Sequence, residues 1–183
     1  CEIMASLALD IRARPRLRFI TWPQLLARAP EYTRASATLF RIGVPTGGYL
    51  VPDGLFGIEY TIGEKRSYRF FALEADRGTM PVVRTHAKGT SILGKIAAYR
   101  DTIIQQRHRA LLGIPNLLVL IVAVDQQRAD NILAALHAES SQASNFLIRS
   151  ISASGGLSGP LPGLLSGSWD RPGHPPLCIG DAG

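Results

Sequence analysis

The sequence predicts an α/β domain with a mixed central sheet, an antiparallel hairpin at one side and helices on the faces. Three observations carry this. Residues 117–124 form a continuous apolar run bounded by turn signals, the pattern of a strand buried on both faces. Two strand-like segments, 49–60 and 68–76, flank Ile62-Gly63-Glu64-Lys65, a good hairpin turn. Between hairpin and buried run lies a helix-length segment with Ile92, Ile96, Tyr99 and Ile103 at helical spacing. A strand that follows a crossover helix pairs parallel in the centre of the sheet.

The elements follow in order. Residues 2–13 suit a helix with Ile3, Leu7, Leu9 and Ile11 on its apolar side, ended by Pro15. Residues 16–22 alternate and read as a strand. Pro23 starts a short helix through Ala29, stopped by Pro30. Residues 30–48 read as a loop, with Gly47-Gly48 before the first hairpin strand. After a loop over 77–90, Ser91 is placed to cap a helix from 92 to about 109, closed by Gly113-Ile114-Pro115. Asp125 caps a second helix over 126–138, with Ile132, Leu133 and Leu136 facing inward. Residues 145–151 read as the last strand. Beyond 152, Gly, Ser and Pro dominate, so the domain is expected over 1–151 and a partly irregular tail over 152–183. Leu161, Leu164, Leu165 and Trp169 are the residues able to pin that tail to the surface.

At 183 residues the chain is long enough for one buried core. Hydrophobic residues at 46% and charged residues at 19% are a globular balance. The net charge is +6, and lysine supplies only Lys65, Lys88 and Lys95 of 20 basic residues. Arginine suits phosphate because its planar fork donates two hydrogen bonds at once; a GC-rich coding sequence would give the same excess. Cys1 and Cys178 lie at opposite ends, which excludes a disulfide framework and a zinc ribbon and fits a reducing cytoplasm. The apolar run is too short to span a bilayer, and no membrane role is expected. His86, His108, His137 and His174 have no metal-ligand spacing, Gly47-Gly48 lacks the following Lys-Ser of a phosphate loop, and no serine sits in a nucleophile elbow.

One constellation carries chemistry. With the turn centred between Gly63 and Glu64, Asp53 falls directly across from Glu74, on the same face of the hairpin. Asp76, two residues on, projects to that face too. Facing carboxylates destabilise a sheet unless they are solvated, protonated or neutralised by a cation. Mg²⁺ takes carboxylate oxygens plus retained waters and activates water against a phosphoryl centre. Lys95 and Tyr99, four apart on the predicted helix, share a face; Lys95 would stabilise the charged phosphate and Tyr99 hold a phosphate oxygen or a water. Arg77 and Arg84 in the loop, with Arg100, Arg107 and Arg109 on and after the helix, would form a basic rim for a nucleic-acid backbone. The same residues also fit a bland arrangement. Asp53 would then cap a turn before Gly54, Glu74 to Arg77 would be a solvated strand end, Lys95 a surface lysine and Tyr99 a core aromatic.

Pro52-Asp53 at the start of a hairpin, Glu74 at the end of its second strand and a following helix resemble the PD-(D/E)xK nuclease superfamily. The run Phe70-Phe71-Ala72-Leu73-Glu74-Ala75-Asp76-Arg77-Gly78-Thr79, followed by Lys95, Tyr99 and the apolar strand, resembles the replication-relaxation family of bacterial plasmids and mobile elements. The resemblance covers about residues 1–169 and is most specific at E-x-D-R-G-T with the downstream K-x-x-x-Y. It implies a restriction-endonuclease-like αβββαβ core and an upstream winged helix-turn-helix. It implies Mg²⁺ or Mn²⁺ held by Asp53, Glu74 and the Ala75 carbonyl, supported by Asp76. Asp76 stands where the superfamily's lysine usually lies, so that role falls to Lys95. The implied partners are DNA, replication or mobilisation proteins and a second copy in a homodimer, all in the cytoplasm.

Overall fold

The computed structural model describes residues 2–35, 41–43, 49–82, 91–139, 143–151, 161 and 163–181. Its elements are α1 (Glu2–Arg12), β1 (Leu17–Ile20), α2 (Trp22–Arg28), α3 (Glu31–Arg34), β2 (Ile42–Gly43), β3 (Tyr49–Leu50), β4 (Gly54–Ile62), β5 (Lys65–Asp76), α4 (Ile92–Ile104), α5 (Arg107–Leu112), β6 (Leu118–Ala123), α6 (Gln126–Glu139), a 3₁₀ turn (Ala143–Asn145), β7 (Phe146–Ser150), β8 (Ser168–Arg171) and β9 (His174–Cys178). Seven strands form one mixed sheet in the order β1-β4-β5-β6-β7-β8-β9. The β5–β6 and β6–β7 pairs are parallel, and the strands outside them are antiparallel. Among the described residues no helix is long and apolar enough to cross a membrane.

The hairpin forms in the register its turn predicts. Gly63, at φ +58°, takes the left-handed turn position, Ile62 pairs with Lys65, and the ladder runs out to Gly54 opposite Leu73. The sheet then separates two apolar layers. Over one face, Leu55, Ala72, Val119, Ile121 and Ile148 pack against Ile92, Ile96 and Tyr99 of α4 and Ile132 and Leu136 of α6. On the other, Phe56, Ile58, Phe71, Leu73 and Leu120 meet Ile3, Leu7 and Ile11 of α1. Phe19, Phe56 and Phe71 stack across β1, β4 and β5 on this second face, with centroids 5.2 and 5.1 Å apart. Asn116 closes the gap before the β5–β6 ladder: its Oδ1 accepts from Phe70 N at 3.0 Å and its Nδ2 donates to Tyr68 O at 2.9 Å.

Several elements depart from the sequence expectation. Leu9 is 51% exposed, because Ile3, Leu7 and Ile11 already complete the buried stripe of α1. The predicted strand over 49–60 is broken at Val51-Pro52-Asp53, where Pro52 has no N–H for a ladder. The predicted loop over 30–48 contains α3 and the short β2–β3 ladder; the Gly47-Gly48 signal lies outside the described residues. The long helix splits at Gln106, whose φ of 52° is left-handed, so that α5 turns His108 and Leu112 into the interior. The C-terminal segment is built into the fold more deeply than surface anchoring by a few apolar residues. Leu164, Leu165, Trp169 and Ile179 are fully buried in the α1 layer, and β8 and β9 extend the sheet beyond β7. A Gly-Pro-Ser composition hides this, because four apolar residues carry the burial.

Candidate functional site

Asp53 sits one residue beyond the ladder and prolongs it with its side chain. Its N–H donates to Leu73 O at 3.0 Å, and its Oδ2 accepts from Ala75 N at 2.9 Å. The carboxylate is thereby pinned beside β5, across from Glu74, in the solvent-exposed mouth of the hairpin. Glu74 points under α4 and is 4% exposed. Ser91 caps that helix by accepting from Gly94 N at 3.1 Å, and this sets the start of the helix so that Lys95 and Tyr99 both look down on β5.

The two helix residues take one oxygen each. Lys95 Nζ donates to Glu74 Oε2 at 2.6 Å, and the fully buried Tyr99 hydroxyl donates to Oε1 at 2.5 Å. Burial pushes the Glu74 carboxyl up; the bonds from Lys95 and Tyr99 and the lysine charge oppose this, and the charge of Asp53 adds to it. The net shift is upward. The Tyr99 hydroxyl is held well above its ordinary range, first by burial, then by the charge of Glu74 and its bond to it.

Asp53, Glu74, Ala75, Asp76, Arg77 and Lys95 all line one cleft of about 130 Å³. The expected convergence of three carboxylates is not met. Asp76 does project to the same face, yet Arg128 holds both of its oxygens, with Nε donating to Oδ2 at 2.6 Å and Nη2 to Oδ1 at 3.2 Å. Gly78 N also donates to Oδ1, and Arg128 reaches on to Met80 O. The cause is topological. Parallel register sets Asp76 beside Ala123, so α6 begins next to it, and Asp125 caps that helix by accepting from Arg128 N at 2.7 Å. The guanidinium in the first turn then meets the strand end. Arg128 is the site-adjacent residue that sequence reasoning missed. The signal was present in a helix that starts three residues after a strand paired in register with β5.

The basic rim is only partly assembled. Arg77 is exposed and lines the cleft. Arg84 lies outside the described residues. Arg100 is half-buried on α4 and does not line the cleft. Arg107 forms an ion pair with Asp101 at 3.2 Å and donates to Gln105, and Arg109 donates to Pro115 O, so both hold the α4–α5 corner.

Among the described residues no group of three or more His, Cys, Asp and Glu side chains gathers as a metal site. With Asp76 held by Arg128, the carboxylates left at the cleft are those of Asp53 and Glu74, beside the main chain of Ala75. That donor set still fits Mg²⁺ or Mn²⁺, since Mg²⁺ takes one or two protein carboxylates and keeps several waters. Burial of Glu74 adds a demand for positive charge, which Lys95 meets only in part. Set against protein-family models, curated proteins and solved structures, the chain matches none.

Proposed function

We propose that this cleft is a divalent-metal-dependent phosphodiesterase site acting on DNA, in a cytoplasmic DNA-processing protein of plasmid replication or relaxation. One observation carries the reading: the Lys95 ammonium lies 2.6 Å from a buried glutamate that faces Asp53 across a hairpin mouth. The run α1, β1, β4, β5, α4, β6 supports a restriction-endonuclease-like αβββαβ core, with β1, β4 and β5 antiparallel and β6 parallel to β5.

Asp53 and Glu74 would hold the cation, with the Ala75 carbonyl as third donor. Held there, it would supply Lewis-acid polarisation of a phosphoryl oxygen and a lowered pKa for an attacking water. Tyr99 fixes Oε1 of Glu74 from the helix above it, so the carboxylate keeps one orientation. Lys95 sits at the cleft and offers its ammonium to the charge that builds on the phosphate. Arg77 contacts the backbone at the rim. Asp76 acts by holding Arg128 and, through it, the chain at Met80.

Supercoiled plasmid incubated with Mg²⁺ or Mn²⁺ tests the proposal. The expected result is nicking or linearisation that chelation stops and that Asp53→Ala and Glu74→Ala abolish. Absence of cleavage by the wild type, or unchanged cleavage by either variant, sinks it. A second reading rests on the fact that both Glu74 oxygens already have protein donors, so Glu74 is held in place without a metal. It makes the domain a non-catalytic DNA-binding or assembly module, partnering replication or mobilisation proteins or a second copy. It predicts salt-sensitive DNA binding that is indifferent to metal.

A further inference from the structure

A second concavity, of about 570 Å³, lies at the opposite end of the hairpin. It is lined by Arg14, Pro15 and Arg16 of the α1–β1 corner, by Tyr60 and Thr61 near the end of β4, and by Asp181. From Asp53 to Thr61 the strand advances roughly 26 Å, at ~3.3 Å per residue, so the groove is remote from the cleft.

The corner is a rigid platform. Arg14 N donates to Ile11 O and Leu17 N to Arg14 O, each at 3.0 Å, while Thr61 N donates to Arg16 O at 2.9 Å. Both side chains therefore leave a hydrogen-bonded backbone. Among the described residues neither guanidinium has an ion pair or hydrogen bond, unlike Arg18, which is tied to Glu59. The C-terminal turn is shaped around Arg14: a Cβ added at Gly180 would stand 3.2 Å from Arg14 Nη1 and 2.8 Å from Leu165 O. Behind the groove, Arg69 lies over the Tyr60 ring at 5.2 Å and donates to Asp181 O at 2.8 Å, while the Tyr60 hydroxyl donates to Ile179 O at 2.7 Å. A third cation thus backs the wall, and the turn bearing Asp181 is locked in place. Asp181 is the one acidic lining residue, against two arginines.

We infer that this groove binds the phosphates of a nucleic-acid backbone. Two arginines on a fixed corner, their guanidiniums with no ion pair or hydrogen bond among the described residues, in an open groove of a +6 chain, match a phosphodiester strand. Choosing a nucleic acid as ligand rests on the proposed function. The groove goes beyond it by placing a binding surface far from the carboxylates, so that affinity and cleavage are separable.

The test is binding of a labelled DNA duplex to the full chain over a salt series without divalent metal, with single-turnover cleavage measured in parallel at saturating protein. Arg14→Ala/Arg16→Ala is expected to weaken binding at least tenfold and to flatten the slope of log K against log salt by about 1.8, that is about 0.9 for each phosphate no longer neutralised. Arg14→Lys/Arg16→Lys should restore most of the slope. Arg16→Glu, at an exposed position, repeats the test should the double variant fail to fold. Excess inorganic phosphate competing as well as duplex, mole for mole, would show a site for free phosphate and overturn the inference. So would unchanged affinity and slope in the variants, or no duplex binding by the wild type. Unchanged binding in these variants with cleavage lost in Glu74→Ala removes the groove and keeps the nuclease reading. Weakened binding with no cleavage by any protein does the reverse.

Discussion

Glu59 and Glu74 stand on the two strands of one hairpin, both nearly inaccessible, each with a cation 2.5–2.6 Å away. They respond in opposite directions. The bond from Arg18 holds the Glu59 carboxyl below its ordinary range, whereas burial raises that of Glu74 despite Lys95 and Tyr99. What covers each group explains the difference. Glu59 is screened by the side chains of Arg18 and Arg66, themselves 49% and 65% exposed, so water stays close behind a thin layer. Glu74 lies beneath α4, against the packed layer of Ile92, Ile96, Val119 and Ile121. An ion pair made by exposed arginines neutralises a carboxylate at little desolvation cost. The same pair under a helix leaves a carboxylate still short of positive charge, which is the condition that recruits a cation or a phosphate-binding lysine.

The contrast breaks hardest at a third carboxylate. Arg128→Ala leaves the Asp76 side chain, 3% exposed, without its bidentate partner. Chemical denaturation should show a loss of about 3–5 kcal/mol. Next comes Glu74→Gln, which keeps the shape and removes the charge; under the proposed function, single-turnover cleavage should fall at least about a hundredfold, the order found when one group that stabilises the transition state is removed. Tyr99→Phe strips the donor from Oε1 without opening a cavity and should lower stability by about 1–3 kcal/mol in the same denaturation assay. Arg18→Ala, at the solvated pair, should change stability by less than about 1 kcal/mol.

The smallest effect is one of sign. A carboxyl whose folded pKa is raised binds its proton more tightly in the native state. The Glu74 contribution is therefore full below the ordinary value of 4.5 and is lost as pH rises through the folded value. For Glu59 the folded pKa is lowered, so its contribution is present above 4.5 and is lost as pH falls through the folded value. Wild-type stability minus that of Glu74→Gln should decline with rising pH, and the difference from Glu59→Gln should decline with falling pH. Urea midpoints over a pH series read both. Parallel curves for the two would end the distinction drawn between them.

Much of the scaffold could be read from local chemistry. Gly63 and a two-residue turn set the hairpin register, and that register alone puts Asp53 across from Glu74. Ser91 and Asp125 mark helix starts because a side-chain oxygen before an apolar-periodic run satisfies a first-turn N–H. Helical spacing set Lys95 over Tyr99, and both reach Glu74. Where several residues compete for one partner, spacing was silent. Asp76 shares a face with Glu74, yet its oxygens go to Arg128, 52 residues away. Arg107 and Arg109, which composition offers to nucleic acid, close a corner that exists only because Gln106 turns left-handed.

The sequence by itself determined the order of the main strands and helices up to residue 151, the hairpin register, the helix caps and the pairing of Lys95 with Tyr99. Each depends on residues within a few positions of one another or on a single two-residue turn, so periodicity and hydrogen-bond stereochemistry suffice. Only the tertiary structure decided which carboxylates face the cleft, how deeply Glu74 is buried, that residues 168–171 and 174–178 join the sheet, and that Arg14, Arg16 and Asp181 line one groove. Those outcomes depend on which distant groups arrive at the same point and on how much water they exclude, and neither quantity is encoded in local spacing.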